Sequence, residues 1–386
     1  MTLIGTLRIA MAHLVRTPVP AVGERANSSG RIALLRRGSA RVTLFWFVVA
    51  LVALNIAAVV VSSDSRVRDP EYGRRVTQLR KRIAENPGRP LVLMLGSSRP
   101  AMGLRPGEWE AVRPADPSRP DPLIFNMALL GSGPVMELMA LRRIYGDGFR
   151  PALVLFEYWP PFLHQEGEWR ETSRVAIDRL LPDDRKVVRD YFPEPQRIER
   201  EMNSRIRNPI WGYRERMIVQ VLSRWVPPAK RTDWTWDDID EWGWKPGLDL
   251  EPGLTELRAA AHTRCSKIYS PQFSTYQVSP IAERAFRESV ALAREHGAEV
   301  GFVYFPESSE FRRLYPARVE SLASAQFDRL SRELNVPLMN CREWLDDELI
   351  VDGFHPSRVG AAVFTRKFGP AVAATFPTLR NPPVKP

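Results

Sequence analysis

The sequence predicts an α/β protein of three layers on a mainly parallel sheet, with an N-terminal transmembrane helix and a long irregular insertion. Three observations predict it. Short apolar runs alternate with segments of helical spacing. One uncharged stretch of 20 residues lies near the N-terminus. A charged stretch rich in Trp and Pro, roughly 160–275, shows no strand pattern.

The elements follow in chain order. VTLFWFVVALVALNIAAVVV (42–61) carries no charge, and Asn55 is its only strongly polar side chain. At about 1.5 Å per residue it spans roughly 30 Å, the thickness of a bilayer's hydrocarbon core. A buried core helix would show a polar stripe; this one does not. It is longer than a signal-peptide core, and no small-x-small cleavage site follows Val61. A polar stretch and an amphipathic helix near 73–86 read as a stalk. LVLML (91–95), LIFN (123–126), ALVLFE (152–157), VGFVYF (300–305) and VPLM (336–339) read as buried strands. Helices are expected over 134–145, 280–296 and 316–334, and from Pro356, whose missing N–H costs nothing in a first turn. The expected organisation is a basic cytoplasmic tail (1–41), an anchor (42–63), a stalk (64–88), a domain (89–370) holding the insertion, and a Pro-rich tail (371–386).

The net charge of +10 suggests nucleic acid, but its distribution does not. Residues 1–41 hold seven arginines against one acid, Glu24, and the rest of the chain is nearly balanced. A basic head before an apolar span matches the positive-inside rule: N-terminus in the cytoplasm, domain outside the cytoplasmic membrane. The two cysteines, Cys265 and Cys341, suit no metal cluster, and spacing alone leaves a disulfide and two free thiols equally open.

Two motifs carry chemistry. Gly96-Ser97-Ser98-Arg99 directly follows the first strand. A serine at a strand-to-helix turn presents its hydroxyl and leaves its backbone N–H for an oxyanion. Asp352-Gly353-Phe354-His355-Pro356 lies near the chain's end. An Asp three residues before a His can hold one imidazole nitrogen, leaving the other to take a serine proton. His13, His164, His262 and His296 lack this context. Each motif alone has a plain alternative, a small-residue loop and a helix cap.

Together, strand–Gly-Ser-Ser and a late Asp-x-x-His-Pro-x-x-x-Gly resemble the SGNH (GDSL-like) hydrolase superfamily. Ser97 falls at the Asp of the wider family's Gly-Asp-Ser, and Gly360 at the glycine of the following helix. The resemblance implies a flavodoxin-like sheet, Ser98 as nucleophile, His355 as base, Asp352 as its orienting acid, and no metal or organic cofactor. Asn126-Met127-Ala128-Leu129-Leu130-Gly131 resembles the second block, which makes Gly131 a second oxyanion donor beside Ser98. The third block departs: Glu157-Tyr158-Trp159-Pro160-Pro161 stands where hydrolases carry Gly-x-Asn-Asp, so one donor is missing or replaced. The Gly-Ser-Ser form looks like the membrane-tethered acyl-transfer branch, which helps acetylate alginate or transfers D-alanine to teichoic acid. That branch implies a polysaccharide or glycan acceptor and a multi-span membrane acyltransferase as partner. No nucleic-acid partner is expected.

Three further residues are weaker substrate-binding candidates. Arg99 beside the nucleophile could hold an anionic group, against a surface salt bridge. Glu157 could hold a site loop or touch substrate, and Asn126 ends the second strand. Trp234, Trp236, Trp242 and Trp244 read chiefly as packing for the insertion, with sugar stacking as the alternative. The acidic run Asp237, Asp238, Asp240 and Glu241 lacks the order of a calcium loop and reads as solvated. The favoured function is O-acylation of a cell-envelope or exported polysaccharide. The rivals are a carbohydrate esterase and a non-catalytic scaffold that binds or exports polysaccharide.

Overall fold

The computed structural model describes residues 29–113, 121–164, 171–247, 255–376 and 379, with side chains from residue 40 onward. The basic tail before residue 29 lies outside the described residues; of the Pro-rich tail expected over 371–386, residues 371–375 instead end the helix Arg358–Thr375, and those beyond 376, Leu379 excepted, lie outside the described residues. The chain divides into two compact units, Met1–Ile56 and Ala57–Pro386.

One helix runs from Ser29 to Ser63. Its part Ala40–Ser63 is long and apolar enough to cross a membrane.

The larger unit is built on five parallel strands: β1 Leu91–Leu95, β2 Leu123–Asn126, β3 Leu153–Glu157, β4 Glu299–Tyr304 and β5 Leu338–Asn340. Their order is β2-β1-β3-β4-β5, the flavodoxin-like order. The strands read as continuous apolar runs because both faces of the sheet are covered. Leu91, Leu93 and Leu95 point into one core with Phe125, Phe156 and Phe302, beneath helices Pro70–Glu85, Pro134–Gly146, Pro280–Glu295 and Ala317–Leu334. Val92 and Met94 point into the other, with Trp109, Phe364 and Phe368 from Pro106–Val112 and Arg358–Thr375. The architecture is therefore the expected three-layer α/β sandwich.

Several expectations need correction. Residues 64–88 are not a separate stalk. Tyr72, Val76 and Leu79 are core residues. Asp69 and Glu71, which look like solvent-facing acids in sequence, are buried: Asp69 pairs with Arg143 (2.9 Å) and Arg179 (2.8 Å), and Glu71 with Arg75 (3.4 Å) and Arg179 (3.0 Å). The last helix starts at Arg358, because the Ser357 hydroxyl caps it by accepting from Gly360 N–H (3.1 Å). Among its described residues the insertion has no strand, but it is substantially helical, with helices Pro195–Arg207, Arg214–Leu222 and Thr255–Ser274. Both cysteines are buried and free.

The segment Asp240–Lys245 of the insertion packs onto the carboxyl end of the sheet. Trp242 C=O accepts from Asn126 N–H (3.1 Å), and Lys245 N–H donates to Ala101 C=O (2.9 Å). The approach is close enough to demand glycine at 243: a Cβ there would lie 2.0 Å from Asn126 O, and its φ is +82°.

Candidate active site

The sheet places two chemistry-bearing loops at its carboxyl edge, next to the switch point between β1 and β3. After Leu95 the backbone turns at Gly96, where a Cβ would meet Pro100 Cγ at 2.6 Å and Glu157 Cβ at 2.7 Å. Ser97 caps the short helix Ser98–Gly103, its hydroxyl accepting from Arg99 N–H (3.2 Å). Ser98 is thus the first residue of a helix, a position whose N–H has no partner within the helix. Among the described residues it donates to no other group.

His355 arrives from the loop after β5. That loop is pinned by Val351 N–H donating to His355 C=O (2.8 Å) and by Asp352 Oδ1 accepting from the backbone N–H of His355 (3.0 Å). The Asp352 carboxylate thereby closes its own turn while Oδ2 holds His355 Nδ1 at 2.8 Å. On the far side of the ring, Nε2 lies 2.7 Å from Ser98 Oγ. An ionised carboxylate only accepts, so Nδ1 carries the proton and Nε2 accepts from the serine hydroxyl. Burial acts to raise the Asp352 pKa, but the imidazole and two backbone N–H groups outweigh it and hold the carboxyl below its usual range. The arrangement can move a proton from Ser98 to His355 and steady the cation that forms.

A buried ionic cluster lies under the Ser97-Ser98 turn. Arg99, wholly buried, lies 3.3 Å from Glu157 and 3.4 Å from Glu307, stacks over Trp159 at 4.7 Å, and donates to Phe305 C=O (2.7 Å). Arg99 is therefore neither a substrate contact nor a surface salt bridge: both its carboxylate partners are inside the protein. Glu157 Oε2 accepts from Ser97 N–H at 2.7 Å, so it holds the Gly96-Ser97-Ser98 turn from below and is too buried to touch substrate. Burial pushes its carboxyl above the usual range, against the pull of Arg99 and Ser97. Asn126 is also not a substrate residue. It is fully buried, and its Nδ2 donates to Pro100 C=O and Leu104 C=O (both 2.7 Å), tying the Ser98 helix to the end of β2.

Gly131 has φ +75° and its N–H donates to nothing among the described residues. It lines a cavity with Leu129, Arg174 and Arg179, separate from the cleft beside His355, and among the described residues no hydrogen bond links it to Ser98, Asp352 or His355. Sequence reasoning missed Glu171, whose carboxylate accepts from the N–H groups of Gly133, Val135 and Met136 (2.7–2.8 Å) at the start of helix Pro134–Gly146. It also missed Glu307. A carboxylate just past a buried strand, the signal that marked Glu157, would have flagged it.

The cleft beside His355 has a volume of about 590 Å³, and much of its wall comes from the insertion: Trp234, Asp238, Lys245 and Gly247 face Met102, Asp352 and His355. Trp234 is 57% exposed, whereas Trp244 is buried with its indole N–H donating to Met102 C=O (2.6 Å). Packing thus explains Trp244 and not Trp234. The acidic run is not simply solvated. Asp240 Oδ1 accepts from Trp242 N–H (2.8 Å) and Trp244 N–H (2.9 Å), and Asp238 pairs with Lys245.

No protein-family profile and no curated protein matches this chain. Among solved structures, it is similar to a "putative acylhydrolase" from Bacteroides fragilis, at 11% identity and a TM-score of 0.36, over 76% of this chain and 94% of that one. So distant a likeness leaves the functional reading to the geometry of the site.

Proposed function

We propose that this protein is a serine acyltransferase of the SGNH type, anchored by Ala40–Ser63 in the cytoplasmic membrane with its domain outside. Its substrate is a cell-envelope or exported polysaccharide, modified by O-acylation. The observation that carries the reading is the continuous Ser98–His355–Asp352 hydrogen-bond chain at the carboxyl edge of the sheet, 2.7 and 2.8 Å.

In this mechanism Ser98 Oγ attacks the acyl carbonyl while its proton passes to His355 Nε2. The N–H of Ser98, without a partner among the described residues, stabilises the oxyanion. Collapse expels the donor's leaving group, which takes the proton from His355, and leaves acyl-Ser98. A sugar hydroxyl then gives its proton to His355 and attacks the ester. The second tetrahedral adduct returns the proton to Ser98 Oγ and releases the acylated sugar. Asp352 holds the imidazole and its charge through both halves.

Transfer is favoured over hydrolysis by the anchor, the Gly-Ser-Ser turn and the exposed Trp234 beside His355, where a sugar face can stack. A multi-span membrane acyltransferase would supply the acyl group. Carbohydrate esterase activity is the second reading, because the His355 side chain is 20% exposed and water can reach the same acyl-enzyme. The purified chain given an activated acyl ester and an oligosaccharide separates the two. Ester on the sugar supports transfer; release of free acid only, at every acceptor concentration, rejects it.

A further inference from the structure

An outward apolar face on the insertion is unexplained by the active site. Helix Arg214–Leu222 and the turn after it leave Ile218, Val221, Leu222 and Trp225 exposed, at i, i+3, i+4 and i+7. That spacing makes one stripe along a helix. Val221 is 73% and Trp225 77% exposed, and Trp211, just before the helix, is 66% exposed. Val219 is turned inward instead. The Arg214 guanidinium lies over the Trp211 ring at 4.0 Å. Arg207 and Arg224 are exposed and have no acidic partner among the described residues. The face is therefore apolar, carries tryptophan at both ends, and is flanked by free positive charge.

Its position in the chain says what covers it. Gln220, on the same helix, donates through Nε2 to Val67 C=O at 2.8 Å. The Arg68 guanidinium lies over the Tyr213 ring at 4.7 Å. Val67 is four residues past Ser63, where the apolar helix ends. Four residues reach at most about 14 Å when fully extended. The last turns of that helix, Ala57–Ser63, belong to the same compact unit as helix Arg214–Leu222, and Ala58 and Ser62 are buried there. If Ala40–Ser63 spans a bilayer, helix Arg214–Leu222 is tethered within reach of the headgroup layer, where tryptophan is enriched and arginine meets lipid phosphate.

We propose that Trp211, Ile218, Val221, Leu222 and Trp225 form a second membrane contact, an interfacial helix face that seats the domain on the outer surface of the bilayer holding its anchor. The face binds lipid as an interfacial amphipathic helix does, by apolar burial to about the depth of the headgroup boundary plus attraction of Arg207 and Arg224 to anionic headgroups. The inference rests on the spanning role of Ala40–Ser63. Such a contact would keep near the membrane the active-site cleft, much of whose wall comes from the same insertion.

The test uses the full chain reconstituted in vesicles of phosphatidylethanolamine and phosphatidylglycerol. Single cysteines at Leu51, Val221 and Trp225 carry an environment-sensitive fluorophore, and brominated lipid is the quencher. The parent chain, whose own cysteines are buried, sets the background. Expected are quenching and a blue shift at Leu51, Val221 and Trp225. W211S/I218S/L222S should lose the quenching at Val221 and keep it at Leu51, with fluorophosphonate labelling of Ser98 unchanged as the check on folding. Quenching at Leu51 without any at Val221 and Trp225 overturns the proposal and leaves the anchor standing. No quenching at Leu51 overturns the anchor and the proposal with it. Protection of Val221 only in native membranes, never in pure lipid, assigns the face to a protein partner and overturns the lipid contact.

Discussion

Arg99→Met should cost about 3 kcal/mol of stability and slow fluorophosphonate labelling of Ser98, although Arg99 is wholly buried and touches no substrate. Glu157 and Arg99 lie 3.3 Å apart with essentially no exposure on either side. At an effective dielectric near 20 their attraction is about 5 kcal/mol, and the pair to Glu307 at 3.4 Å is of similar size. Removing one partner of a buried pair costs roughly 3–5 kcal/mol, because the other charge stays buried. The loss should sit at the low end here. Burial already pushes the Glu157 carboxyl up, so it can take a proton once Arg99 is gone, and Glu307 keeps Arg342 at 3.0 Å. Urea unfolding of the detergent-solubilised chain measures the loss, and the fluorophosphonate labelling rate reports the Ser98 turn. A double-mutant cycle with Glu157→Gln isolates the pair, with a coupling above about 1 kcal/mol expected for residues in contact. Unfolding within about 0.5 kcal/mol of the parent, with additive single mutants, would refute the claim that this pair supports the turn.

Other outcomes follow from the same geometry. Asp352→Asn removes the acceptor that fixes the imidazole tautomer, so turnover of an aryl ester should fall by up to about 10⁴ with folding retained. Because the Asp352 pKa is depressed in the fold, its contribution to stability is present above the unfolded value of about 3.9 and is lost as pH falls through the lower folded one; Asp352→Asn should flatten that acid limb in thermal scans. Glu137 behaves in the opposite sense. Burial, with Glu157 and Glu171 nearby, raises its pKa, so the folded state keeps a proton that the unfolded chain loses, and stability falls as pH rises above about 4.3. Glu137→Gln should therefore stabilise the protein increasingly from pH 5 to pH 8, and an unchanged pH slope of the melting temperature would contradict this. Trp234→Ala should raise the KM for a glycan acceptor roughly fivefold, the worth of about 1 kcal/mol of stacking, and leave turnover of a small aryl ester nearly intact.

The parallel sheet was legible because its strands, covered on both faces, are short runs of Val, Leu, Ile and Phe between turn residues. Leu91–Leu95 and Leu123–Asn126 match the expected bounds, and the other three lie within one or two residues. The hydrogen-bonded group Ser98, His355 and Asp352 was legible because its members lie where the chain leaves the sheet's carboxyl edge, where the residue type itself is informative. What lay hidden were long-range pairings. Arg99 looks like a surface cation until β3 and the loop after β4 bring Glu157 and Glu307 to it. Asn126 looks like a strand-end polar group until the backbone of the Ser98 helix folds over it. Asp69 and Glu71 suggest a solvated stalk until Arg143 and Arg179 close on them from up to 110 residues away. The helices of the insertion were obscured by Pro, Trp and Arg, which break the apolar period that marks a helix packed on a core.

The central claim is that Ser98 carries the acyl group. Intact-mass spectrometry of the full chain after brief exposure to an activated acyl ester tests it most directly. A mass gain of one acyl group, mapped to Ser98, is predicted, diminished in His355→Ala and absent in Ser98→Ala. Acylation elsewhere, or Ser98→Ala acylating its polysaccharide acceptor at the parental rate, would contradict it.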